Sequence, residues 1–202
     1  INDELADSKE KLEQAYLDIV QTLRYTVEAK DTYTRGHSDR VAEYSVLIGQ
    51  KLGLTEEQLK TLRIGGLFHD IGKIGIPDNI LLKPDKLTDD EYSEIKNHPS
   101  IGAHILSSAV IFKDIIPIVK HHHERYDGSG YPDKLVGDAI PISAQVVGLI
   151  DRFDVLTHDR VYKKPLSYKE AFDIIESGKL GQFNPILVEC FRECENQIIS
   201  AF

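Results

Sequence analysis

The stretch LKTLRIGGLFHDIGK, residues 59–73, decides how the rest of the chain is read. Leu59 to Phe68 is a mostly apolar run of helical character, and it ends on a polar pair, His69-Asp70. The helix is expected to stop at Ile71-Gly72-Lys73, with Gly72 taking the positive φ of a helix terminus. Neighbouring residues on a helix point about 100° apart, so His69 and Asp70 can serve one centre only near the helix end. A carboxylate has two oxygens and can bridge two cations. A neutral imidazole offers one nitrogen and suits Fe, Mn, Zn or Co. On its own, a His-Asp pair is common by chance and reads as structural.

Working outward, the pair has company. His122-His123 close a second helix, followed by Glu124 and the loop Asp127-Gly128-Ser129-Gly130-Tyr131-Pro132. His98 stands at a helix start, and His37 opens a helix after Arg35-Gly36. Asp151 lies in the apolar run Val146-Val147-Gly148-Leu149-Ile150, where a carboxylate is costly unless it is paired or bound to metal. An ion pair with Arg152 or Arg160 is the plain alternative for Asp151. Taken singly, each histidine reads as well as a surface or core residue. Several that converge point to a metal site.

The remainder is helical nearly throughout, with almost no strand signal. Helices are predicted at 3–29, 37–52, 56–69, 89–97, 99–107, 112–123, 142–160, 167–176 and 185–200, and irregular structure at 70–87 and 124–141. Capping boxes mark three starts, at Thr55 to Gln58, Thr88 to Glu91 and Ser167 to Glu170. Pro99 and Pro185 mark two more. In the first helix Leu5, Leu12 and Ile19 stand seven apart, with Tyr16 and Leu23 between them. This is either a weak heptad seam for a coiled coil or the apolar face of a helix packed on its own domain. Residues 1–29 are therefore read as a linker helix, and 30–202 as the catalytic domain.

The chain has 202 residues, 41% of them hydrophobic, and a formal charge of −9. So acidic a chain is a poor partner for nucleic-acid polymers or anionic membranes, both of which need a cationic footprint. No apolar run is long enough for a membrane helix, and no signal peptide is evident. Cys190 and Cys194, four apart, read as two small buried hydrophobes in a reducing, cytoplasmic setting. A start at Ile1 with no Met anywhere reads as a piece of something larger.

His69-Asp70-Ile71-Gly72-Lys73, His98-Pro99, His122-His123-Glu124 and Gly130-Tyr131-Pro132 resemble, in order and spacing, the HD-GYP domain. The resemblance also takes in Tyr33 to Ser38 and Asp151 to Lys164, and runs from about residue 20 to the end. It implies an all-α fold: a helical bundle of the HD superfamily with additional C-terminal helices and a long N-terminal helix. It implies a metal-dependent phosphodiesterase of bacterial signalling, acting on cyclic di-GMP and giving linear pGpG; whether a second round gives GMP stays open in the sequence.

Carried across, the resemblance assigns one metal to His37, His69, Asp70 and Asp151. A second, bridged by Asp70, goes to His98, His122 and His123, and a shared hydroxide serves as nucleophile. The cofactors implied are two divalent ions, Fe or Mn, with Zn, Co and Ni as alternatives. Some family members hold a third metal through a Glu four residues before the first His ligand. Here that position is Tyr33, so two metals are expected. Asp70 and Lys73 are the catalytic residues implied, and Lys73, Tyr131, Asp154, Arg160 and Lys163 the substrate contacts. His121 reads as a neighbour of the ligands; His104 and His158 are not family ligands.

The sequence departs from the family at Val161, which lacks the usual Pro, at His158, where Ser is usual, and at Gln182 and Asn184, where His and Asp are usual. The last two are read as part of a helix-start motif. The partners implied are the cyclic dinucleotide, a second copy through the N-terminal helix, an upstream sensor or receiver domain, and diguanylate cyclase domains at the Gly130-Tyr131-Pro132 loop. Competing readings are hydrolysis of another cyclic dinucleotide such as cyclic GMP-AMP, a non-catalytic receptor module, and a diiron oxygenase.

Overall fold

The computed structural model describes residues 2–30, 36–158, 164–178 and 181–200. The described residues are helix, turn and loop, with no strand among them, as expected from the sequence. No helix among them is long and apolar enough to cross a membrane.

The three capping boxes form as read. The hydroxyls of Thr55, Thr88 and Ser167 accept from the backbone N–H of Gln58, Glu91 and Glu170, whose side chains accept in return from the N-cap N–H. These caps start α3 (Glu56–Phe68), α5 (Asp89–Ile95) and α9 (Tyr168–Ser177). α2 (His37–Lys51) and α6 (His98–Ser107) also begin where predicted.

Four boundaries differ. The stretch read as irregular holds a 3-10 turn, Ile71–Gly75, and a short α4 (Asp78–Leu81) entered through the fixed φ of Pro77. α7 spans only Ile116–His121, because Pro117 sets its first turn; before it, Val110–Phe112 is 3-10. α8 (Ile142–Thr157) stops at an extended His158. The last predicted helix is two, α10 (Pro185–Glu193) and α11 (Glu195–Ser200), broken at Cys194, whose N–H turns back to the Arg192 and Phe191 carbonyls.

Two apolar cores meet along α3. One joins α2, α8, α9 and α10, with Phe153, Phe172 and Phe191 packed ring on ring at centroid distances of 4.5–5.1 Å. The other joins α1 (Asn2–Lys30), α6 and α7 around Phe68, Leu106 and Phe112. Leu62 faces the first core, and Ile64 and Phe68 the second. α3 is thus a shared spine, and its C-terminal end delivers His69 and Asp70 between the cores. Cys194 is buried in the first core and Cys190 is half-buried; both thiols are free.

The C-terminal half of α1 packs on its own domain through Tyr16, Val20, Leu23 and Val27, and Arg24 pairs with Asp39 of α2 at 2.5 Å. Leu12 and Ile19 point to solvent, 70% and 48% exposed. The helix therefore has two apolar rows: one is buried in the domain, and the other faces outward. The Leu5 side chain lies outside the described residues.

Candidate metal centre

Three histidines reach the centre by the same local device. His69 just past α3, His98 at the start of α6 and His122 just past α7 each turn Nδ1 onto a carbonyl three residues back. The acceptors are Gly66 at 2.7 Å, Ile95 at 2.7 Å and Val119 at 2.9 Å. A carbonyl only accepts, so the Nδ1 carries the proton and Nε2 presents its lone pair. His37 uses a carboxylate instead, with Nδ1 2.6 Å from Asp154 Oδ2. The Nε2 atoms then face one another: His37 to His69 at 3.3 Å, and His98 to His122 at 3.5 Å. The facing lone pairs of His98 and His122 repel unless a cation lies between them, so this donor set fits a metal.

Two ligand groups share one residue. His37, His69 and Asp70 form one, and Asp70, His98, His122 and His123 the other. Asp70 divides its oxygens between them: Oδ2 lies 3.3 Å from His69 Nε2, and Oδ1 lies 3.2 Å from His98 Nε2. Asp151 Oδ1 joins the first group, 3.4 Å from His37 Nε2 and 4.0 Å from His69 Nε2. It faces these histidines rather than Arg152. Lys73 Nζ sits 2.8 Å from Asp70 Oδ2. All seven residues read as ligands thus stand around one centre.

The electrostatics follow from burial and neighbours. Burial raises the Asp70 carboxyl, but Lys73 and His69 outweigh it and hold the group well below the usual carboxylate range. Burial also opposes charge on His37, yet Asp151 and Asp154 overcome it and lift the pKa to about 9. His123 is pushed down to about 4, by burial first and then by His98. His122 is likewise driven well below its ordinary value by burial and by His123. The carboxylates thus favour positive charge at His37, while burial favours the neutral imidazoles of His122 and His123.

Close backbone packing fixes these parts. A Cβ on Gly72 would stand 1.8 Å from the His98 carbonyl oxygen. Gly72 has no positive φ, contrary to the expectation for a helix terminus; the glycine is needed for close approach to α6. Gly148 does the same for α8, where a Cβ would meet the His122 carbonyl at 2.2 Å. Glu124 pins the following loop, its carboxylate accepting from the N–H of Asp133 at 2.7 Å and of Leu135 at 3.2 Å. Tyr131 stacks on His123 with centroids 4.9 Å apart.

Asp154, read as a substrate contact, is placed elsewhere. It is 2% exposed and stands behind His37, held by Arg40 Nε at 2.6 Å and by His158 Nδ1 at 3.1 Å. It orients a ligand rather than facing the cleft. Arg40 was missed, although it lies three residues after His37 on the same helix. An Asp154→Asn chain is expected to hold metal about 10- to 100-fold more weakly, by metal titration calorimetry. Unchanged affinity contradicts that role.

Gln182 and Asn184, read as part of a helix start, also line the cleft. The Tyr126 N–H donates to the Gln182 carbonyl at 3.0 Å, which seats this segment against the loop. Asn184 caps α10 as well. Tyr33, Arg160 and Lys163 lie outside the described residues, as does Val161.

A family model for the HD domain matches residues 21–187. The chain is 38% identical over 187 residues to the cyclic di-GMP phosphodiesterase response regulator RpfG of Xanthomonas campestris pv. campestris, covering 92% of this chain and 50% of that protein. It is 40% identical over 194 residues to a cyclic di-GMP phosphodiesterase of Thermotoga maritima, covering 94% and 52%. It spans about half the length of these curated relatives. Among solved structures, a cyclic GMP-AMP specific phosphodiesterase of Vibrio cholerae superposes with a TM-score of 0.72 at 19% identity, covering 90% of this chain and 49% of that one. That likeness bears on the fold.

Proposed function

The chain belongs to the HD domain family, and on that premise we propose that it is a metal-dependent phosphodiesterase that opens cyclic di-GMP to linear pGpG. The observation that carries this reading is the sharing of Asp70 between two ligand groups beside Lys73, in a cleft of about 310 Å³. The names of the curated relatives agree with it.

The roles follow from the geometry. When bound, two divalent cations supply Lewis-acid polarisation of the phosphodiester and a water acidified toward neutral pH. His37, His69, Asp70 and Asp151 would hold one, and Asp70, His98, His122 and His123 the other. The carbonyls behind His69, His98 and His122 keep each Nε2 lone pair aimed inward throughout the cycle. Lys73, anchored on Asp70, donates to a non-bridging oxygen of the same phosphate as charge builds there. Tyr131, stacked on His123, forms a wall beside it.

Imidazole and carboxylate without thiolate support Fe or Mn as the resident metal. Leu12 and Ile19, seven apart and exposed, support pairing of α1 with a second copy below an upstream sensor or receiver domain. The free thiols of Cys190 and Cys194 fit a reducing cytoplasm.

Likeness to the 3'3'-cGAMP-specific phosphodiesterase 3 of Vibrio cholerae, 36% identical over 181 residues, keeps a cyclic GMP-AMP specificity as the second reading. Anaerobic reconstitution with Fe or Mn, followed by assay on cyclic di-GMP, cyclic GMP-AMP and cyclic di-AMP, tests both. Cyclic di-GMP is expected to turn over fastest. No turnover of it beside rapid turnover of another dinucleotide sinks the first reading.

A further inference from the structure

The cleft that holds the ligands is lined by several elements. Lys73 comes from the 3-10 turn after α3, with Tyr92 and Ile95 of α5 nearby on the same cleft lining. The lining continues through α8, the loop after α7 and the segment before α10. It carries Arg125, two residues past His123, and Arg152, one residue past Asp151. Gln145, Gly148 and Arg152 fall three and four apart on α8, so one helical face lines the cleft. Two backbone hydrogen bonds hold the loop on the segment opposite: Tyr126 N–H to the Gln182 carbonyl at 3.0 Å, and Asp127 N–H to the Gly181 carbonyl at 2.9 Å.

Every carboxylate lining this cleft is engaged elsewhere. Asp70 faces Lys73, His69 and His98; Asp151 faces His37 and His69; Glu124 accepts from the Asp133 and Leu135 N–H groups. Among the described residues, neither Arg125 nor Arg152 makes an ion pair, and both are exposed to the cleft's solvent. In a chain of net charge −9, two guanidinium groups lining the cleft, with Asp127 alone of the carboxylates felt by Arg125, form a local anion site.

We propose that Arg125 and Arg152 receive the second phosphodiester of the substrate, the one not held at the metal ligands. This inference rests on the reading of the cleft as a cyclic-dinucleotide site and deepens it. A cyclic dinucleotide carries two phosphodiesters on one ring, held apart by a ribose on either side. With one at the metal ligands, the other is fixed in position on the ring. The guanidinium fork binds phosphate oxygens in pairs and stays charged at every working pH, which suits it to an anion that is held but not cleaved. The pair selects for a ligand with two phosphates and rejects one that has the same bases and a single phosphate.

Two ligands matched in bases separate this role from base reading: cyclic di-GMP and guanylyl-guanosine, which has both guanines and one phosphodiester. Both are used in phosphorothioate form, which is hydrolysed slowly, and titrated into the metal-loaded protein by calorimetry. Arg125→Gln and Arg152→Gln are each expected to weaken cyclic di-GMP binding by about 10-fold, and guanylyl-guanosine binding by no more than about twofold. Equal weakening of both ligands overturns the proposal and makes the arginines base readers. Cyclic di-GMP affinity left at the wild-type value in the double variant overturns it too, as does a wild-type chain that shows no preference between the two ligands. Turnover of unmodified cyclic di-GMP is followed separately. Binding as expected without turnover defeats the catalytic reading and leaves the second phosphate site standing.

Discussion

An Asp70→Asn chain is expected to lose turnover of cyclic di-GMP by on the order of 10³-fold or more, and to fall below two metals per chain. The reason lies in how one side chain is divided. Asp70 Oδ2 serves the group around His69, and Oδ1 the group around His98. No other residue belongs to both groups. Asn keeps the shape but offers one oxygen and no charge, so at least one group is left with neutral donors alone. Ala is the harsher test: with no side-chain oxygen at all, it also removes the 2.8 Å contact between Asp70 Oδ2 and Lys73 Nζ. Asn is thus the cleaner probe of chemistry, and Ala the stronger probe of stability. Metal content by inductively coupled plasma mass spectrometry and initial rates decide the matter. A variant with two metals per chain and wild-type turnover removes Asp70 from the centre.

The second large effect is steric. Gly72→Ala is expected to destabilise the fold by about 3 kcal/mol, near the upper end for overpacking, because the new methyl would meet backbone on two sides. Its Cβ would lie 1.8 Å from the His98 carbonyl oxygen and 2.5 Å from the Gly102 nitrogen. No rotamer change relieves a clash with main chain. The 3-10 turn must back away from α6, and it would carry Asp70 and Lys73 away from His98. Thermal melting should fall by on the order of 10 °C for a domain of this size. Gly53→Ala is the comparison: its φ of 74° is unfavourable for Ala, but nothing stands within 4 Å, so it should cost only about 1 kcal/mol. Equal melting temperatures for the two variants would contradict the close-approach account of Gly72.

What could be read from the chain was local, or was carried by ordered motifs. Thr55, Thr88 and Ser167 cap helices because the capping partner lies three residues on. His69, His98 and His122 fall at helix ends, where the turn to a carbonyl three residues back orients them without help from distant parts of the chain. Asp154 was different. It stands three residues after Asp151 on α8, and sequence alone does not tell which side of His37 it occupies. Only the packing of α8 on α2, with Arg40 and His158 closing around the carboxylate, puts it behind the ligand. Gly72 misled for the same reason. A local rule assigned it a backbone angle, whereas the cause is a neighbouring helix reached 26 residues later, at His98. Gln182 was read correctly as preceding a helix start, but its carbonyl is tied to Tyr126, and this places it in the cleft.

The ligands come from stretches that are remote along the chain. His37 and its carboxylate partner Asp154 stand 117 residues apart, His37 and His69 stand 32 apart, and His98 and His122 stand 24 apart. An unfolded chain cannot gather them without closing several long loops at once, each at an entropic cost. The centre is therefore assembled late. Both cores and the α3 spine must be in place before the chelate exists, and the ion, once captured, rivets segments that only the finished topology brings together. Metal loading would thus report that folding is complete: a misassembled chain has the residues of both groups but does not bring them together.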